Sequence, residues 1–170
     1  MFYKMIENKC TQWYESERCT VKNLIEYIEK TGQMRDAQIE AIKVYLFLKI
    51  ACECKPLTQL FRQGFFNSID LNEIELSKST REYLFQNPAA AALFEYACLT
   101  NDKGEQVSEK LEKQIKKDPA GIDYNEFFRN AFYGVSYTDY LFSLPMGAGK
   151  TYLMAAFIYL DLCFARRKIG

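Results

Sequence analysis

The sequence predicts a mainly α-helical chain that carries one strand, glycine loop and helix unit near its C-terminal end. Three observations carry that expectation. Apolar residues recur at three- and four-residue spacing along much of the 170 residues. Between Leu57 and Gly134 no run alternates apolar and polar residues long enough for a half-buried strand. After it, a β-favouring run meets a Pro and Gly cluster, and a second apolar helical pattern begins.

Composition bounds what such a chain does. With 49% hydrophobic, 26% charged and 15% aromatic residues and only four prolines, it belongs with folded domains. Twenty-two Lys plus Arg balance 22 Asp plus Glu, so no global field draws it to nucleic acid or to an anionic membrane. Any such contact has to be local. The absence of His removes Ser-His-Asp and Cys-His catalysis and His-ligated zinc. Six cysteines remain, and because Met1 to Cys10 is charged and lacks an apolar signal core, they read as reduced, mostly buried thiols of a cytoplasmic protein. Cys52 and Cys54 stand two apart with no second pair at metal spacing, which fits packing better than zinc.

The elements follow in order. Trp13 to Lys30 places Val21, Leu24, Ile25 and Ile28 at helical spacing, and Gly32 stands where a left-handed stop is expected. Arg35 to about Lys55 is the clearest helix, with Ile39, Ile42, Leu46 and Ile50 on one stripe and Pro56 as its terminator. Several short helices then follow. Ser79 with Glu82, and Asp123 with Glu126, read as capping boxes at two helix starts. Pro88 opens an alanine-rich helix through about Leu99, Asn101 to Glu105 is a surface turn, and Val107 to Lys117 is a charged helix with a solvated face. Thr138 to Leu144 favours a short strand, centred on Tyr140 to Leu144. Tyr152 to Ala165 is the longest apolar stretch; it falls short of the ~18 residues of a membrane span and contains Asp161, so a buried helix from about Lys150 to Arg166 is expected.

Between that strand and that helix stands Leu144-Pro145-Met146-Gly147-Ala148-Gly149-Lys150-Thr151. Two glycines let the backbone curl so that amide N–H groups turn inward, and the helix adds its positive end, which together make a cradle for oligophosphate. Lys150 would reach the β and γ phosphates of ATP, and the Thr151 hydroxyl would coordinate Mg²⁺. The full pattern asks for glycine at position 144, where Leu144 stands. Gly147, Ala148, Gly149, Lys150 and Thr151 are therefore the candidate binding residues, with Lys150 and Thr151 also placed at the chemistry.

This variant resembles motif I of superfamily 2 helicases and translocases, the DEAD/DEAH-type group that includes the motor subunits of restriction enzymes. Met34-Arg35-Asp36-Ala37-Gln38-Ile39-Glu40-Ala41-Ile42 is similar to the glutamine motif of that group. The resemblance implies that Gln38 hydrogen-bonds the adenine edge, which a side-chain amide can do as donor and acceptor together. Arg35 would flank the base or support the loop. It also implies a RecA-like α/β ATPase lobe, of which residues 137–170 are the first strand, loop and helix. Residues 1–33 then form an N-terminal helical segment, 34–56 the glutamine-motif helix and 57–136 a helical insertion. No Asp-Glu pair follows an apolar strand after Lys150, so an N-terminal fragment of an ATP hydrolase is expected, inactive alone. The partners implied are ATP, DNA or RNA through the full-length parent, and restriction or phage-defence subunits, with no membrane. Two alternatives stand beside it: another class of P-loop NTPase, and a helical interaction module with a vestigial loop.

Overall fold

Nine α-helices and one short 3-10 turn make up the regular structure among the described residues of the computed structural model: α1 (Phe2–Glu15), α2 (Lys22–Thr31), α3 (Asp36–Ile50), α4 (Leu57–Arg62), α5 (Lys78–Gln86), α6 (Pro88–Cys98), α7 (Glu109–Lys117), the 3-10 turn (Pro119–Gly121), α8 (Tyr124–Ala131) and α9 (Lys150–Arg167). The structure describes residues 2–101, 103–133, 140, 142–143, 146–147 and 149–167, the side chains of 166 and 167 excepted. The chain is mainly α. Among the described residues the one approach to a sheet is an isolated antiparallel bridge from Thr100 to Gln106. Of the expected strand, Tyr140, Phe142 and Ser143 are described and lie in no regular element; the rest of that run lies outside the described residues. Two compact units form, one from residues 1–9 and 55–139 and the other from 10–54 and 140–170.

In the first unit α6 is the hub, packed against α4, α5, α7 and α8. Its sequence explains this. Ala90, Ala91, Ala92, Leu93, Phe94 and Ala97 are all buried, and a helix apolar on every side needs neighbours on every side, while alanines let those neighbours approach closely. Phe61 completes the core: its ring lies 4.6 Å from Phe66, 5.7 Å from Phe128 and 5.0 Å from Phe2, and Phe2 stacks on Tyr96 at 4.0 Å.

The caps refine the expected boundaries. Asp123 accepts from the Glu126 N–H at 2.9 Å, as the sequence implies. The α5 cap is Ser77, which accepts from the Thr80 N–H at 3.1 Å, so Ser79 lies inside the helix and its expected capping box does not form. A serine in either place satisfies the same pattern, and the chain uses the earlier one because the Ser77 hydroxyl also bonds Thr80 Oγ1 at 2.8 Å. Ser108 accepts from Leu111, so α7 opens two residues later than Val107. Its charges pair along the helix, Lys113 with Glu109 and Lys116 with Glu112, while Ile115 is buried beneath them.

In the second unit α3 lies between α2 and α9 in the packing. The Ile39, Ile42 and Leu46 stripe is buried, as are Ala41, Val44, Phe47 and Leu48. Helix α3 stops at Ile50, short of Pro56, because Glu53 and Cys54 both adopt positive φ (54° and 55°) and the turn returns the Cys54 N–H to Leu48 O at 3.0 Å. The expected left-handed stop at Gly32 is displaced too: Gly32 is right-handed at φ −79°, and Gln33 takes the positive φ of 48°. Glycine is required at 32 for another reason, since a Cβ there would meet Ile28 O at 2.6 Å. The single expected helix from Trp13 to Lys30 is broken by the turn at 16–21, and Trp13 belongs to α1, which buries Met5, Ile6, Cys10 and Trp13 at helical spacing.

Helix α9 departs most from expectation. Leu153 and Leu160 are buried, but Tyr152, Met154, Ile158, Tyr159 and Leu162 are 54–66% exposed. The reason is that apolar residues circle this helix, whereas α3 covers one side of it.

The buried carboxylate of Glu95 is the most demanding polar group in the first unit. It accepts from the Ser68 N–H at 2.8 Å, from the Ile69 N–H at 3.1 Å and from the Ser68 hydroxyl. Glu95→Ala leaves those donors without an acceptor and should destabilise the chain by about 2–3 kcal/mol, read by urea denaturation. Lys78→Ala, at a side chain 91% exposed, should change stability by less than about 0.5 kcal/mol.

Candidate functional site

The glycine loop is built by positive φ at two residues, Gly147 at 78° and Gly149 at 73°. Side chains rarely adopt this region, so glycine is needed at both. Their surroundings differ. Among the described residues a Cβ at Gly147 meets nothing within 4 Å, whereas one at Gly149 would lie 2.7 Å from Gln38 Nε2. Gly149 also starts α9, because its carbonyl accepts the Leu153 N–H at 3.1 Å.

The first turn of α3 meets this loop within the second unit. Arg35 is the cap residue of α3, in extended conformation. Its backbone N–H donates to Gln38 Oε1 at 2.9 Å, which is the reciprocal half of a capping box; the other half is missing because a guanidinium accepts nothing. The opposite end of the same amide, Gln38 Nε2, donates to Gly149 O at 3.0 Å. The Arg35 guanidinium donates from Nη1 to Gly147 O. Two loop carbonyls are thus held from one helix start, across a sequence separation of 111 and 112 residues.

Six of the seven site residues expected from the sequence, Arg35, Gln38, Gly147, Gly149, Lys150 and Thr151, are therefore gathered in the second unit; Ala148 lies outside the described residues, as do Leu144 and Pro145. Lys150 and Thr151 are exposed on the first turn of α9. At the start of any α-helix the first N–H groups have no acceptor within the helix and carry its positive end. An exposed lysine, an exposed hydroxyl and those N–H groups together suit an oligoanion.

The sequence reading missed the anchors that hold α9 to α3. Tyr45 stacks on Phe157 at 4.3 Å, and its hydroxyl and the Lys49 ammonium both donate to Asp161. Tyr152 adds a bond from its hydroxyl to Gly32 O at 3.1 Å. The one available signal was a lone acid on an apolar helix, which asks for a cation on its neighbour. Burial pushes the Tyr45 hydroxyl up, and its bond to Asp161 adds to this, to about 12. At Asp161 burial acts upward but is outweighed by the bonds from Lys49 and Tyr45, which hold the carboxyl below its ordinary value.

Among the described residues no group of three His, Cys, Asp or Glu is placed to hold a metal ion, and no helix is long and apolar enough to cross a membrane. Comparison with protein-family models, with curated proteins and with solved structures finds no match to this chain.

The Asp161 contribution to stability is present above the ordinary carboxylate pKa and is lost as pH falls through the lowered folded value. Asp161→Asn should therefore cost less than about 1 kcal/mol at neutral pH, given its exposure, and the difference from wild type should vanish in strong acid. Thermal unfolding across pH checks it; a difference that persists in acid contradicts the assignment.

Proposed function

We propose that this chain binds ATP with Mg²⁺ through residues 147–151, as the ATP-binding part of a nucleic-acid-dependent ATPase. The observation that supports the reading most is the pairing of two positive-φ glycines with an 18-residue helix whose first residues are Lys150 and Thr151. Lys150 carries the positive charge that the β and γ phosphates need, and it leaves the helix at the loop's edge. Thr151 offers its hydroxyl to Mg²⁺. The N–H groups of the first α9 turn donate to phosphate oxygens. When bound, Mg²⁺ neutralises oligophosphate charge and bridges its oxygens.

Hydrolysis needs more than this cradle. A carboxylate has to hold the metal and orient water, and a cation has to stabilise charge in the transition state. In the 170-residue sequence no Asp-Glu pair follows Lys150, and Asp161 is engaged by Lys49 and Tyr45. Binding without turnover is the expected behaviour of this chain. A second reading, a helical interaction module with a vestigial loop, draws on the exposed Met154, Ile158 and Leu162 side of α9.

Calorimetric titration with Mg·ATP decides between them. Saturable binding by the wild type that is lost in Lys150→Ala, with no phosphate release, is the expected outcome. Equal heats from both proteins, or none from either, would favour the interaction module. Nucleic-acid affinity should be weak. Arg166, Arg167 and Lys168 are the one compact basic run, so the slope of log affinity against log salt should not exceed about three, as a salt titration with single-stranded and duplex oligonucleotides would show.

A further inference from the structure

Gln38 is expected to read adenine, yet both ends of its amide are engaged inside the chain. The orientation of that amide is fixed by its partners: an N–H stands at one end and a carbonyl at the other, so oxygen faces Arg35 and nitrogen faces Gly149. Reading adenine requires a donor and an acceptor presented side by side to the base edge. Gln38 retains one lone pair and one N–H hydrogen beyond those bonds, but the residue is 4% exposed. A base has no edge to meet. Turning the amide outward would release the Arg35 N–H and the Gly149 carbonyl together.

What Gln38 does touch is the loop. Gly149 O accepts two hydrogen bonds, one from Leu153 N–H and one from Gln38 Nε2, so the first bond of α9 and the grip from α3 meet at one oxygen. The fit is close, since even a methyl group at Gly149 would press within 2.7 Å of Nε2. Gly147 O is held in parallel by Arg35. Holding carbonyls at both glycines removes conformations that the loop would otherwise have to give up on binding, and that lowers the entropic cost of receiving a ligand.

We infer that Gln38 is a positioning residue that sets the glycine loop for a triphosphate of any base, and is not a reader of adenine. The inference rests on the phosphate-binding reading above. Gln38→Glu separates the two roles of the amide, because a carboxylate oxygen still accepts the Arg35 N–H and keeps the start of α3, while the donor to Gly149 is gone and a like partial charge faces its carbonyl.

Two measurements test the inference on the full chain. The first is the affinity of wild type and Gln38→Glu for Mg·ATP, Mg·GTP and inorganic triphosphate. All three should weaken by the same factor, about tenfold, with the ATP to GTP ratio unchanged. The second needs no nucleotide: amide hydrogen exchange of the 146–153 segment should quicken about tenfold in the variant, with exchange in α6 and at the start of α3 unchanged. That local pattern separates a loop grip from general destabilisation, which would quicken exchange throughout. A selective loss of Mg·ATP binding would overturn the inference in favour of adenine reading, and unchanged exchange at 146–153 would overturn it as well. If the wild type binds none of the three ligands, the phosphate reading falls, and the exchange result alone then supports or overturns the grip.

Discussion

The carbonyl of Gly149 is the point on which the second unit turns. It accepts the first hydrogen bond of α9 and, with its other lone pair, the amide of Gln38 from the first turn of α3. One oxygen therefore ties the loop's conformation to the helix that follows it and to a helix more than a hundred residues earlier in the chain. A positive φ at Gly149 makes this possible, and the lack of a side chain there lets Nε2 approach. Arg35 repeats the arrangement at Gly147 from the exposed side. The consequence is that the carbonyls of Gly147 and Gly149 are committed to protein, and the N–H groups of the α9 terminus are the polar surface they leave for a ligand.

Below the loop, α9 is attached to α3 by mixed forces. The Tyr45 and Phe157 stack supplies apolar contact, and Lys49 with Asp161 adds a partly solvated ion pair whose own contribution is modest. The first unit is held differently. Its hub, α6, is rich in alanine and buries one carboxylate, Glu95, whose oxygens are matched by backbone and hydroxyl donors of a neighbouring turn.

Much of this was legible in the sequence where a local rule sufficed. The α3 stripe, the Pro88 start of α6, the Asp123 cap and the glycine turn before α9 are each set by a few adjacent residues, and each was read from them. Boundaries that depend on a choice between similar residues were not: Ser77 and Ser79 both suit a cap, and Glu53 with Cys54 form a left-handed turn that no glycine announces. The break at 16–21 was hidden because apolar spacing on both sides of it continues the same period. Pattern showed that α9 is apolar, but which of its sides meet a partner depends on the rest of the unit, so its exposure was misjudged. At the site the residues were legible and their mutual geometry was not. Arg35 and Gln38 stood out by resemblance, but their grip on Gly147 and Gly149 is a tertiary fact.

A bound ligand should be felt first at the glycine loop. Backbone amide resonances recorded while Mg·ATP is titrated into the full chain report each residue separately. Saturable shifts largest at Gly147, Gly149, Lys150 and Thr151 and falling away along α9 are the predicted result. Shifts confined to the exposed side of α9 or to the first unit, or no saturable shift at all, would contradict it.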